Sequence, residues 1–318
     1  MLYIPLADEA ARQTVDSMSL WQECALARHR YQDYAAGMYW KSEGAYEYLV
    51  KTKAHGRQER IGRRTPETEL IYSEFHKRKS ALQPRLQSLQ AQLVVAQRLN
   101  RAVKAGRVPV IVIDILNALD AAGLAEHFTV VGTHALYAYE AAAGVRIAQK
   151  ALATQDVDLL WDARKRVQFV ADMKHLGKPV LRILQEVDPT FQRKELHNKT
   201  ATNAKGFMVD FLRRIPQDGD PHPFRLSDAD EDIWPVQAVR AQVLTEAPPF
   251  AHIVIGATGK MALMRTVSPR VFVSFKQWLA AQPDRDPLKR GRDQTQAQTV
   301  QTLMDDGLLH VQQSTRAT

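Results

Sequence analysis

Apolar positions in the first third of the chain recur at helical spacing. Val15, Met18, Trp21, Cys24, Ala25 and Leu26 predict a helix over 14–31, and residues 1–50 read as largely helical. Thr65-Pro66-Glu67 supplies an N-cap hydroxyl, a proline at the first helical position and an acid in the first turn. From there Ile71, Phe75, Leu82, Leu86, Leu89, Leu93, Ala96, Leu99 and Val103 recur at threes, fours and one seven. That spacing predicts one long amphipathic helix to about Lys104, with a kink at Pro84. Its stripe suits the protein's own core or a second copy, a homodimer through residues 66–104. Val108 to Leu124 mixes a β-branched run with Ile111, Ile115, Leu116, Leu119 and a stop at Gly123, and reads as a helix.

Beyond residue 124 the period shortens. Phe128 to Val131 reads as a short buried strand, followed by Gly132-Thr133 and an Ala-rich helix to Ala143. Asp156-Val-Asp-Leu-Leu-Trp161 is a second strand, and helices run from Arg164 to about Val187. Phe191–Lys199 and Gly206–Leu212 form a hairpin turning near Asn203–Gly206, and His252–Ile255 with Met261–Val267 a second one. Two stretches read as irregular: the basic, Gly-punctuated loop Lys53–Arg64, and residues 216–250, whose acids Asp228, Asp230, Glu231 and Asp232 are expected to be solvated. The fold class is α+β, a mixed sheet flanked by N-terminal and C-terminal helical regions, in three segments: 1–107, 108–225 and 226–318.

Composition adds a partner and a compartment. The chain has 318 residues and a net charge of +8. Residues 51–107 carry 14 Lys/Arg against 4 Glu, so this one segment accounts for the whole excess. A basic module points to a polyanion, most simply nucleic acid. Within it Arg57, Arg60, Arg63 and Arg64 are the candidates to clamp a phosphate backbone or the triphosphate, or to be merely solvated. Tyr31, Tyr34, Tyr39, Trp40, Tyr46 and Tyr48, interleaved with Lys41, Lys51 and Lys53, suit base stacking or a small aromatic core. A single cysteine, Cys24, and the absence of a signal peptide or an apolar run of about 20 residues predict a cytoplasmic protein with no membrane partner.

The candidate chemistry lies in Asp156-Val157-Asp158. Residues i and i+2 of a strand share a face, with Cα atoms roughly 6.6 Å apart, so the two carboxylates repel and a divalent cation between them is the economical explanation. A solvated strand end is the alternative. Gly132-Thr133, at the end of a strand and the start of a helix, can hold a phosphate: glycine admits the ligand, threonine offers a hydroxyl and free N–H groups face the anion. Asp210, alone on the later strand, completes a triad if the strands pair.

Gly-Thr, then Asp-Val-Asp, then a lone Asp on a later strand resembles the DNA polymerase beta-like nucleotidyltransferase superfamily over roughly residues 108–300. Threonine stands where serine is commoner, and residues 134–155, more than the family usually has, would hold an inserted loop over the site. The resemblance implies a nucleotidyltransferase-type mixed sheet and transfer of a nucleoside monophosphate from an NTP to an acceptor hydroxyl. Asp156, Asp158 and Asp210 would be catalytic and would hold Mg²⁺ or Mn²⁺, with Gly132 and Thr133 on the β and γ phosphates. Lys276 on a Pro-started helix, followed by a basic turn with Arg290-x-x-Asp293, resembles the C-terminal part of abortive-infection toxin nucleotidyltransferases. Lys276 would then touch the triphosphate with Arg290 and Asp293 in support, and a surface position for Lys276 predicts no more than about 0.5 kcal/mol of stability lost on truncation. The resemblance leaves RNA, DNA, protein and small-molecule acceptors open, the basic segment 51–107 favours RNA, and a toxin or defence effector is the role that the C-terminal likeness implies. Protein nucleotidylation is one alternative and an inactive nucleic-acid-binding module another.

Overall fold

The computed structural model describes residues 1–52, 58–152, 154–194, 197–215 and 225–310. The chain forms two compact units, Arg12–Ala102 and Met1–Ala11 with Val103–Thr318. Chain order begins β1 (Tyr3–Pro5), α1 (Asp8–Ala35), β2 (Met38–Glu43), β3 (Tyr46–Thr52), β4 (Gln58–Arg63) and α2 (Pro66–Ala102).

In the smaller unit α1 and α2 bury Cys24, Ala27 and Leu86 between them. The Thr65 hydroxyl accepts from the Thr68 N–H, 3.4 Å away, at the start of α2, and the helix runs through Pro84. β2, β3 and β4 form an antiparallel sheet whose Met38 and Leu49 close over Phe75 of α2. The expected loop at 53–64 is therefore corrected: residues 58–63 are a strand. Aromatic strand formers in β2 and β3 supply a template, and Arg60 stacks on Tyr48 and Arg63 on Tyr46, 4.0 and 4.3 Å from the ring centroids. Basic composition concealed this pairing, because cation–π contacts across strands leave no apolar alternation to read. Lys53 and Arg57 lie outside the described residues.

The larger unit continues with α3 (Val110–Ala121), β5 (Phe128–Val131), a 3₁₀ turn at Gly132–His134, α4 (Ala135–Ala143), β6 (Val145–Ile147), α5 (Gln149–Leu152) and β7 (Asp156–Trp161). Then follow α6 (Arg166–Leu176), α7 (Val180–Val187), β8 (Gln192–Lys194), β9 (His197–Thr202), β10 (Met208–Arg213), β11 (Val236–Gln237) and α8 (Ala241–Thr245). The hairpin β12 (Pro249–Ile255) and β13 (Met261–Val267) leads into α9 (Pro269–Ala280) and α10 (Pro287–Asp305). The mixed sheet runs β5-β7-β10-β9-β8, with β11 beside β10. β7 and β10 are parallel, and β5 and β9 pair antiparallel on either side of them. Val157, Leu159, Val209 and Phe211 alternate into a core shared with Phe128 and Phe169, while Asp156, Asp158 and Asp210 alternate to the other face.

Two further expectations are corrected. Residues 144–155 are not a loop over the site: Val145–Ile147 is β6, paired antiparallel with β1, and α5 buries Ala151 and Leu152. Their partner comes from residues 3–5, a pairing no local pattern shows, and the buried Glu140 secures it by accepting from the Ile147 N–H and from Arg107. Nor are the acids of 228–232 all solvated. Asp232 is fully buried and accepts from the N–H groups of Val180 and Leu181 at 3.1 and 3.0 Å, capping α7 from a distant loop.

Candidate functional site

The site grows from the parallel pairing of β7 and β10, whose register sets Asp158 opposite Asp210. Asp156 lies two residues earlier on the same face. On the other side Val131, the last residue of β5, pairs with Asp158, so the chain enters Gly132 directly over that carboxylate. Gly132 has φ +68°, and a Cβ there would sit 2.3 Å from Asp158 Oδ2. Glycine is required twice over, by the left-handed backbone and by the close approach of the carboxylate.

Each carboxylate has neighbours of its own. Thr154 donates its hydroxyl to Asp156 Oδ1. Thr200 donates to Asp210 Oδ1 at 2.5 Å, and Lys199 Nζ lies 3.4 Å from its Oδ2. Asp158, between them, is pushed up to about 7, first by burial and then by the charges of Asp156 and Asp210, against the pull of Lys276 and Lys199. His134, in the turn after Thr133, is buried with neither ring nitrogen hydrogen-bonded among the described residues, and burial pushes its imidazole down to about 4.

Hard oxygen donors crowded until they repel suit a divalent cation such as Mg²⁺. The side-chain directions do not yet close a site: among the described residues no group of three His, Cys, Asp or Glu is placed to hold a metal ion. Asp156 and Asp210 turn toward Thr154, Thr200 and Lys199 instead. The donor set fits, and binding would require these two side chains to exchange protein partners for the ion.

Thr133 is buried and accepts a hydrogen bond from Gln296 of α10. Lys276 is not on the surface, which corrects that expectation. It is 5% exposed, its Nζ lies 2.8 Å from Asp293 Oδ1, and its charge reaches Asp158. Arg285 takes the other oxygen of Asp293 at 2.6 and 2.8 Å. Lys276, Arg285 and Asp293 thus form an ion triad around a buried carboxylate, with Arg285 part-exposed and Lys276 tied electrostatically to Asp158. Arg290 belongs to a different arrangement: it donates to the carbonyls of Gln282, Pro283 and Arg285 and braces the turn between α9 and α10. In the smaller unit Arg60 pairs with Glu43 and Arg64 with Glu47 and Glu69, all exposed.

Arg285, Gln296, Lys199, Thr200 and His134 escaped the sequence reading. Gln296 had a usable signal: Asp293, Gln296, Ala297, Val300 and Leu303 follow helical spacing, and all are buried. A Gln/Thr-rich stretch hid that face. Among the described residues no helix is long and apolar enough to cross a membrane.

A family model described as nucleotidyltransferase matches residues 111–316, roughly two thirds of the chain. No curated protein and no solved structure matches significantly. The matched span starts in α3 and takes in the Gly132 turn, β7, β10 and the α9–α10 pair. The chain belongs to the nucleotidyltransferase family.

Proposed function

We propose that the larger unit transfers a nucleoside monophosphate from an NTP to an acceptor hydroxyl, and that Asp156, Asp158 and Asp210 are its catalytic carboxylates. The observation carrying this reading is the β7–β10 register, which sets Asp158 against Asp210 directly beneath the Gly132 backbone. Mg²⁺ or Mn²⁺ held by these three would favour the attacking oxygen and the departing pyrophosphate of an in-line displacement. The hydroxyl oxygen forms a bond to the α-phosphorus and loses its proton to solvent, and the bond from that phosphorus to the bridging oxygen breaks, releasing pyrophosphate. Gly132 and Thr133 hold the β and γ phosphates. Lys276 offsets charge on the leaving group, and Asp293 and Arg285 fix where its ammonium stands.

The same reading divides the chain into an acceptor-side region 1–107, a catalytic core 108–225 and a C-terminal region 226–318. RNA is the favoured acceptor, because Arg60, Arg63 and Arg64 lie exposed in the segment that carries the basic excess. A defence or toxin role extends the likeness of the Lys276 to Asp293 stretch, and pairing of two copies through α2 extends the exposure of Leu70, Ile71, Val94, Val95 and Leu99. Incubation with each labelled NTP, Mg²⁺ or Mn²⁺, and total RNA or lysate tests the proposal. Label should enter RNA, and Asn at 156, 158 or 210 should abolish it in folded protein. Full turnover in Asp158→Asn overturns the assignment, and label in protein alone replaces RNA with a protein acceptor.

A further inference from the structure

Gln296 is a buried polar residue outside both the carboxylates and the ion triad. It is fully buried on α10, one turn beyond Asp293. Its Nε2 donates to the Ala151 carbonyl at 2.7 Å and to Thr133 Oγ1 at 3.1 Å. A carbonyl oxygen only accepts, so Ala151 settles which end of the amide faces α5 and the turn. The second N–H then occupies a lone pair of the Thr133 hydroxyl. A hydroxyl has one hydrogen, and once its oxygen is held as an acceptor that hydrogen must point away from the amide. Among the described residues no protein acceptor meets it. Thr133 is thereby preset as a donor.

The other end of the amide sharpens the point. Gln296 Oε1 is buried with no hydrogen-bond partner among the described residues, which stability alone disfavours. An apolar side chain of similar shape would avoid that cost. We infer that Gln296 is a positioning residue for nucleotide binding: it orients the Thr133 hydroxyl so that its hydrogen is offered to a phosphate oxygen of the bound triphosphate. This rests on the reading that Gly132 and Thr133 hold phosphates. Through Gln296 and Asp293, adjacent turns of one helix then set both the hydroxyl and the Lys276 ammonium.

Equilibrium binding separates the two ideas. The probes are the α,β-imido analogues of ATP, GTP, CTP and UTP, one at a time with Mg²⁺, each against its nucleoside. The proteins are the parent, Thr133→Val, Gln296→Met and the double variant, with Gln296→Leu if the methionine variant does not fold. Gln296→Met should weaken the best-bound triphosphate by about tenfold, the size of one hydrogen bond to a charged group, and leave nucleoside binding unmoved, both read well below the Tm because the Ala151 carbonyl loses its donor. Thr133→Val should lose as much, and the double variant no more than either. A tenfold loss in Thr133→Val with parent-like binding in Gln296→Met overturns the positioning role while the phosphate site stands, as does full additivity in the double variant. Equal losses for triphosphate and nucleoside make Gln296 merely structural and overturn it too. If no analogue binds the parent, or Thr133→Val binds normally, the phosphate reading fails and takes the inference with it.

Discussion

Two clusters of basic side chains look alike in the sequence and are built in opposite ways. In and just after the sheet β2-β3-β4, Arg60, Arg63 and Arg64 lie on aromatic rings, Arg60 pairs with Glu43 and Arg64 with Glu47 and Glu69, and about half of the Arg60 and Arg64 side chains lie in water. Between α9 and α10, Lys276 and Arg285 share the fully buried carboxylate of Asp293. Exposed pairs are screened and contribute little, so their cations stay available to a second anion. A buried pair is held only while every charge has its partner. One cluster can exchange Glu for phosphate at small cost. The other holds Lys276 in one place, where its charge reaches Asp158.

The largest test of this contrast is Asp293→Asn. It leaves the buried Lys276 and the part-exposed Arg285 facing a neutral amide, and breaking a buried pair from one side costs about 3–5 kcal/mol. Glu43→Gln, in the exposed cluster, should cost far less, because exposed pairs are screened. Urea denaturation measures both, and equal costs would erase the distinction between the regions. Lys276→Ala comes next, at roughly 2–3 kcal/mol, because Arg285 still neutralises Asp293. Its turnover, measured well below the Tm, should fall by about a hundredfold beyond any loss of folded protein. Lys289→Ala, on the exposed side of α10, is the control and should match the parent.

The pH axis gives an intermediate effect and again separates buried from exposed. In the metal-free protein Asp158 lies at about 7 against its ordinary 3.8, while His134 lies at about 4 against 6.5. Between its two values the unfolded chain has released the Asp158 proton and the folded chain still holds it. That group therefore costs stability as pH rises from about 4 to about 7. His134 works the other way: the unfolded chain takes up a proton that the folded chain refuses, so stability falls as pH drops from 6.5 to about 4. The slopes oppose across the shared window, and the parent in EDTA should be nearly flat there. Asp158→Asn removes one of them, so this variant should gain about 1–3 kcal/mol on going from pH 4.5 to 6.5 and exceed the parent at pH 7.5. A flat profile in Asp158→Asn would show that the buried site does not hold these charges apart.

How far the sequence carried these regions depended on the range of the interactions. β5, β7, β10 and the Gly132 turn were legible because alternation, acid spacing and a glycine before a helix are local signals. So was the long helix α2. β6 was not, because its partner strand is residues 3–5 and its anchor Glu140 meets Arg107. β4 was hidden by arginines that earn their strand through rings on β3. The buried state of Lys276 depended on Asp293, 17 positions away on another helix. The basic turn was visible in the sequence, and the burial that changes its meaning was not.

The smallest expected effect tests the exposed cluster itself. Lys41 and Arg60 hold Glu43 below the usual carboxylate range, so these cations already face one anion and must trade it for another when RNA arrives. Such a trade is nearly neutral in folding. Arg60→Gln, Arg63→Gln and Arg64→Gln should each leave the urea midpoint close to the parent's. Binding should show the loss instead. For a single-stranded RNA of mixed sequence, log affinity falls with log salt, and each phosphate contact adds roughly 0.7 to the slope. Each substitution should flatten that slope by up to about 0.7 and weaken binding most at low salt, while Lys289→Ala leaves it unchanged. Removing Glu43 instead frees Lys41 and Arg60, so Glu43→Gln should tighten RNA. A slope untouched by all three arginine substitutions, or RNA bound more weakly by Glu43→Gln, would mean that the aromatic sheet keeps its arginines for its own stacking and that the acceptor is recognised elsewhere.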